Sequence, residues 1–330
     1  LLFSIDKLNN KTIVISNIGY SGKETIFNRL YKNKIKFGSF LLDTTPTLIH
    51  DIHYYIKKSK NFFNSIKKGY IFKKSLIKKQ VKEIRYPLNF LLIGAKMTRL
   101  DNRYPTNKNT KIIQAHSLSY DYYILNNKNK INVNDNYLVF LDSYLPFHPD
   151  YIAHDMEPNC SSEKYYPELN NYFTKVEKIL DKQVVILAHP KSQYSRKDNY
   201  FNDRKIIYNS TCQYVKNCDL VLAHSSIALN YAVLFNKPIT LIDSNNYLSK
   251  FRNEIYTFKK SLGCHVVNIS KLKSEEIRIN NISNEHYANY KNDFILEGLN
   301  NSQNKKLSYE IFFDEYYSKL WYKKILWIKY

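Results

Sequence analysis

Two pieces of sequence decide how this chain reads: VVILAHPKS at 184–192 and, after a basic polar loop, CDLVLAHSSIALNYAVLFNKPITLI at 218–242. VVIL at 184–187 is a short unbroken apolar run, the pattern of a strand buried on both faces of a parallel sheet, and it stops at His189-Pro190. LVLA at 220–223 repeats the pattern and stops at His224-Ser225-Ser226. Beyond the serines, Ile227, Tyr231 and Leu234 recur at helical spacing as far as Asn236-Lys237-Pro238, and ITLI at 239–242 supplies another strand. Strand, polar turn, helix, strand is the unit of a doubly wound α/β sheet, whose ligands sit beyond the carboxyl ends of the strands. His189 and the serine pair face that crevice. Ser225 or Ser226 is placed to cap a helix whose unpaired N–H groups suit a phosphate. Taken singly, each has a plainer reading as a strand-end histidine or a helix cap.

Upstream, the same pattern recurs. TIVIS at 12–16 is a β-branched run expected to be the first strand, followed by a turn through Gly19, Tyr20, Ser21 and Gly22 and a helix over 23–31. Gly22-Lys23 invites a Walker A reading, but that motif needs glycine where Asn17 stands and Ser or Thr where Glu24 stands, so we reject it. What stays open for Gly19 to Gly22 is a close backbone approach to a sugar or phosphate, making them acceptor-side candidates, or a simple tight turn. Short strands are expected at 40–42, ending in Asp43, and at 88–93 and 111–115, the last leading through His116 to Asp121. Residues 52–85 read as helical and basic, either a surface for a polyanion or anionic lipid, or solvated helices with one face in a core.

NNKNKINVND at 126–135 is the best candidate for a domain boundary. After it, YLVFL at 137–141 opens a second sheet and closes at Asp142, with His148 and Asp150 in the loop beyond. A helix over 166–180 links this strand to VVIL. After Asp243 the pattern weakens to a strand at 265–269 and a helical stretch over 309–327. The organisation expected is an N-terminal Rossmann-like domain at 1–133, a second at 134–305, and a C-terminal helical segment at 306–330 that packs back on the first.

His189-Pro190 and Ser225-Ser226, each closing a strand, resemble the HP and SS motifs of bacterial sialyltransferases, polysialyltransferases and Kdo-type transferases of surface polysaccharide synthesis. The resemblance covers roughly residues 137–243. It implies the two-Rossmann GT-B fold, in which the domains face a cleft with the nucleotide-sugar donor on the C-terminal side and the acceptor on the N-terminal side. It also implies that His189 serves the leaving phosphate of a CMP-activated nonulosonic acid, with Pro190, Lys191, His224, Ser225 and Ser226 around the donor. These families carry their general base in an acidic pair followed by glycine, and that triplet does not occur in this sequence. The base is therefore sought among strand-end carboxylates: Asp121 and Asp142 first, then Asp43, each of which also reads as a turn aspartate.

Composition bounds these readings. A chain of 330 residues with 44% hydrophobic residues buries two cores. Its 50 Lys+Arg against 29 Asp+Glu, a formal charge of +21, point to anionic partners, although abundant Lys, Asn, Ile and Tyr with little Gly also fit drift in an AT-rich coding sequence. No RNP, KH, zinc-finger or helix-turn-helix pattern supports nucleic acid. The four cysteines form no CxxC pair, no strand-end loop holds paired carboxylates at DxD spacing, and neither a metal nor a cofactor is expected beyond the nucleotide-sugar co-substrate. LLFSIDKLNN at 1–10 lacks the marks of a signal peptide, and no apolar run reaches the ~18 residues of a membrane span, so a cytoplasmic site is expected. The Trp- and Lys-rich tail at 316–330 suits peripheral contact with an anionic inner membrane and a lipid-linked glycan acceptor, or equally a structural helix. A UDP-hexose donor and a non-catalytic subunit of an envelope-polysaccharide assembly remain the alternatives.

Overall fold

The computed structural model describes residues 12–16, 24–46, 86–98, 104–126, 136–194, 199–296, 305–317 and 324–328. The glycine turn 19–22, the basic stretch 52–85 and the boundary segment 127–135 lie outside the described residues. Two parallel sheets account for the strands.

The second sheet follows from the sequence pattern read first. Its strands are β5 (Tyr137–Leu141), β6 (Gln183–Leu187), β7 (Ile206–Ile207), β8 (Leu220–Ala223), β9 (Ile239–Asp243) and β10 (His265–Asn268). They lie in the order β10-β9-β8-β5-β6-β7, all parallel. Counted within the sheet this is 3-2-1-4-5-6, the order of dinucleotide-binding sheets, whose direction of winding reverses between β5 and β8. Buried on both faces, β5, β8 and β9 are apolar almost throughout.

Three helices cover this sheet in ways the sequence reading caught only in part. The link between β5 and β6 starts at Ser162 rather than at 166 and runs to Leu180, carrying Pro167 in its second turn, where proline has no N–H for the carbonyl of Glu163. Thr211–Asn217 forms a helix before β8. Ser249–Leu262 forms another, burying Phe251, Ile255, Phe258 and Leu262 at intervals of three and four, and ends on Gly263 at φ 65°. That periodicity stands in the sequence after Asp243, diluted by the surrounding Lys and Asn.

The first sheet contains β1 (Thr12–Ser16), β2 (Lys36–Leu41), β3 (Phe90–Ile93), β4 (Lys111–Gln114) and β11 (Lys324–Ile328), in the order β11-β1-β2-β3-β4. The pleat divides its side chains between two cores. Val14 and Leu91 face Phe27 and Leu30 of α1 (Glu24–Lys32), whereas Ile13, Ile15, Phe90 and Leu92 face Ile311, Phe312 and Tyr316. The C-terminal return thus supplies one face of the N-terminal core.

The expected helix over 309–327 is corrected here. A helix at Ser308–Phe312 passes into a π-helical turn at Phe313–Tyr317, and Lys324–Ile328 is a strand paired in parallel with β1. An edge strand with free backbone groups captures a β-prone segment more strongly than that segment's own helix propensity resists.

Candidate active site

A cleft of about 600 Å³ opens between the carboxyl ends of the two sheets. Asp43, Ser119 and Tyr122 line it from the first sheet; Asp142, His189, Pro190 and Ser226 line it from the second. Sequence positions read independently as strand ends are therefore brought together by the chain reversal between β5 and β8, at the place a doubly wound sheet offers a ligand.

His189 follows β6. Its Nδ1 accepts the backbone N–H of Lys191 at 3.2 Å, and its carbonyl accepts from Ser192 Oγ at 2.7 Å, so the turn holds the ring in one orientation. Burial, then the neighbouring His148 and Lys191, push the imidazole down to about 4, so it is neutral at physiological pH. With Nδ1 occupied as an acceptor, its proton is on Nε2. Lys191 itself does not line the cleft; its Nζ is paired with Asp150 at 2.7 Å.

Asp142 is buried, and both its oxygens are engaged. Oδ1 accepts from Tyr144 N at 2.9 Å; Oδ2 accepts from Tyr194 Oη at 2.8 Å and His189 N at 3.3 Å. Burial raises its carboxyl to about 6 against the pull of these donors. Such a group holds the turns after β5 and β6 in register more readily than it takes an acceptor's proton.

Asp43 is placed differently. It is exposed at the cleft, with Oδ1 accepting Leu118 N at 3.1 Å. Desolvation by the surrounding protein raises its carboxyl above the ordinary range, with Asp121 adding to the rise, and the N–H groups of Leu118 and Ser119 pull the other way. Of the three aspartates it is the exposed one, and it lines the cleft.

Asp121 does not reach this cleft. It accepts Ser308 N at 2.8 Å and lies 3.6 Å from Nδ1 of His116, where it anchors the C-terminal return and borders a separate apolar cavity with Phe40 and Phe312. The sequence placed it correctly after a strand but could not show that its helix, α2 (Leu118–Asn126), turns it toward residue 308.

His224 is likewise withdrawn from the donor side. Its ring is fully buried, with Nδ1 donating to Ile242 O at 2.9 Å and Nε2 accepting from Tyr165 Oη at 3.1 Å; burial holds it down at about 4. Of the serine pair, Ser226 lines the cleft and Ser225 does not. Ser226 Oγ accepts Ala228 N at 3.2 Å, and the helix after it begins only at Leu229 and has six residues. So short a helix carries little macrodipole, and any anion there would be held by local N–H groups.

Sequence reasoning missed Tyr194, which fixes Asp142, and the contact of His148 with His189, ring centroids 4.8 Å apart. Both residues sit in polar loops without periodicity, and only pairing of β5 with β6 makes those loops neighbours.

No protein-family model and no curated protein matches the chain. Among solved structures it is similar to Staphylococcus aureus MnaA bound to UDP (11% identity, 98% of this chain and 78% of the other, TM-score 0.44). It is also similar to the β-Kdo 2,7-transferase KpsC of Thermosulfurimonas dismutans (11% identity, 81% and 88%, TM-score 0.27). The heptosyltransferase WaaC of Escherichia coli is a third (9% identity, 81% and 97%, TM-score 0.33). The architecture itself, two Rossmann-like parallel sheets facing a cleft, is that of the GT-B type.

Proposed function

We propose that the chain is a glycosyltransferase that moves a sugar, favoured as a CMP-activated nonulosonic acid, from its nucleotide to a glycan or lipid-linked glycan acceptor of a bacterial surface polysaccharide. The observation that carries this reading is the convergence of His189 and Ser226, from the ends of β6 and the β8 loop, on one cleft that Asp43 enters from the opposite sheet.

In this reading the Asp43 carboxylate takes the proton of the acceptor hydroxyl as its oxygen bonds to the anomeric carbon. The bond from that carbon to the phosphate oxygen breaks, and the electron pair stays on the phosphate. The neutral Nε2–H of His189 and the Ser226 hydroxyl meet that charge. No step calls for a metal, and among the described residues no group of three or more His, Cys, Asp or Glu is arranged to hold one.

No helix among the described residues is long and apolar enough to cross a membrane. Peripheral contact with anionic lipid stays part of this proposal, carried by the charge of +21 rather than by an amphipathic tail helix, since Lys324–Ile328 is a strand. Co-sedimentation with anionic vesicles at low and high salt tests it.

The test of the donor is a thermal-shift series with CMP, UDP, GDP and ADP. Selective stabilisation by CMP supports the favoured donor; selective stabilisation by UDP transfers the reading to a UDP-hexose. Stabilisation by none of them overturns it.

A further inference from the structure

His148, in the loop after β5, has no part in the transfer as described, yet it meets His189 edge to face at 67°. Each ring is oriented in the same way by its own loop. Asp150 N lies 3.2 Å from Nδ1 of His148, and Lys191 N lies 3.2 Å from Nδ1 of His189. A backbone N–H can only donate, so each Nδ1 presents a lone pair and each neutral ring carries its proton on Nε2. Neither Nε2 has a hydrogen-bond partner among the described residues. Two touching imidazoles at the ends of adjacent strands thus both keep an unused donor, beside the cleft that His189 lines.

We propose that His148 and His189 form a two-imidazole clamp for the phosphate of the bound nucleotide, and that one proton joins the pair as the phosphate arrives. This rests on the reading of the cleft as a nucleotide-sugar site. Burial lowers both rings, and Lys191 adds to the lowering at each while Asp150 opposes it. A phosphate dianion reverses that balance, because an opposite charge within hydrogen-bond reach favours the cationic ring. The pair takes up a single proton, since two cationic rings in contact repel.

Other groups around the pair do not supply this charge. Lys191 is tied to Asp150 at 2.7 Å, His154 adds only a nearby coulombic contribution at Asp150, and Asp142 is covered by Tyr144, Tyr194 and the His189 N–H. Asp150 also gives the incoming proton a place: its Oδ2 lies 3.6 Å from Nδ1 of His148. The proton comes from solvent onto that Nδ1, which changes from acceptor of the Asp150 N–H to donor toward the Asp150 carboxylate.

Calorimetry with CMP and UDP at about pH 7, in two buffers of different ionisation enthalpy, measures affinity and proton uptake together. The wild-type chain should take up protons on binding. His148→Phe should bind about tenfold more weakly and without uptake, whereas His148→Gln, which restores an N–H donor but cannot titrate, should recover part of the affinity without recovering uptake. Thermal unfolding checks that the variants fold. If His148→Phe fails to fold, His148→Gln and the NMR titration of the wild-type histidine Hε1 resonances with inorganic pyrophosphate decide. Unchanged affinity and unchanged uptake in the variants would overturn the clamp. If no nucleotide binds but pyrophosphate raises the pKa of both rings, the clamp stands and the donor reading falls; if pyrophosphate moves neither ring, the clamp falls.

Discussion

Tyr194 donates its hydroxyl hydrogen to Oδ2 of Asp142 at 2.8 Å across 52 residues of sequence, joining the loop after β6 to the end of β5. The same oxygen accepts His189 N, so the tyrosine, the aspartate and the backbone of the cleft histidine form one unit. Tyr194 Oη also lies 3.4 Å from Tyr166 Oη, which extends the unit to the long helix covering the sheet.

Removing the hydroxyl tests that unit. Tyr194→Phe should destabilise the chain by about 1.5–3 kcal/mol, the usual contribution of a hydrogen bond to a charged group, and should lower turnover through displacement of His189. Urea unfolding gives the first quantity and initial rates the second. Unchanged values in both would make the contact incidental.

The pH dependence of stability follows from Asp142. Its folded value of about 6 lies above its ordinary 3.8, so the folded state holds the proton more tightly than the unfolded one. Its contribution is therefore fully present below about pH 4 and is lost as pH rises through about 6, a change on the order of 3 kcal/mol. Asp142→Asn should remove that part of the slope, seen in the difference between wild-type and variant urea curves across the window. Parallel curves would contradict the assignment.

Two aspartates can be separated by their kinetics. Asp43→Asn should lower kcat about 100-fold or more, as expected on loss of a general base, while Asp121→Asn should stay within a few-fold of wild type. Asp121→Ala should instead weaken the docking of the helix at Ser308–Phe312, read as faster hydrogen exchange at the Ser308 amide. The reverse kinetic pattern would restore Asp121 as the base.

Among the described glycines, Gly94 marks the tightest backbone approach. A Cβ there would lie 1.9 Å from the carbonyl oxygen of Leu42, one residue before Asp43. Gly94→Ala should therefore destabilise by about 2–4 kcal/mol and disturb Asp43, because the obstacle is backbone and cannot rotate away. A melting temperature equal to wild type would show that the strand ends move apart freely.

The wish to be a parallel α/β protein is written locally in this sequence. Four- and five-residue apolar runs such as VVIL and LVLA, each closed by a polar pair, specify buried strands because a strand covered on both faces has no polar face to show. The strand ends consequently located His189, Ser226, Asp142 and Asp43 without any knowledge of the fold. The directions of those side chains depend on contacts far away in sequence. His224 and Ser226 stand two residues apart, yet Tyr165 and Ile242 draw the histidine into the core while the serine lines the cleft. Asp121 turned from the cleft because Ser308 returns from the far end of the chain to meet it, and the strand at Lys324–Ile328 formed because β1 offered it an edge. Apolar periodicity is set by neighbours in sequence, and a polar side chain's partner is chosen only when distant segments meet.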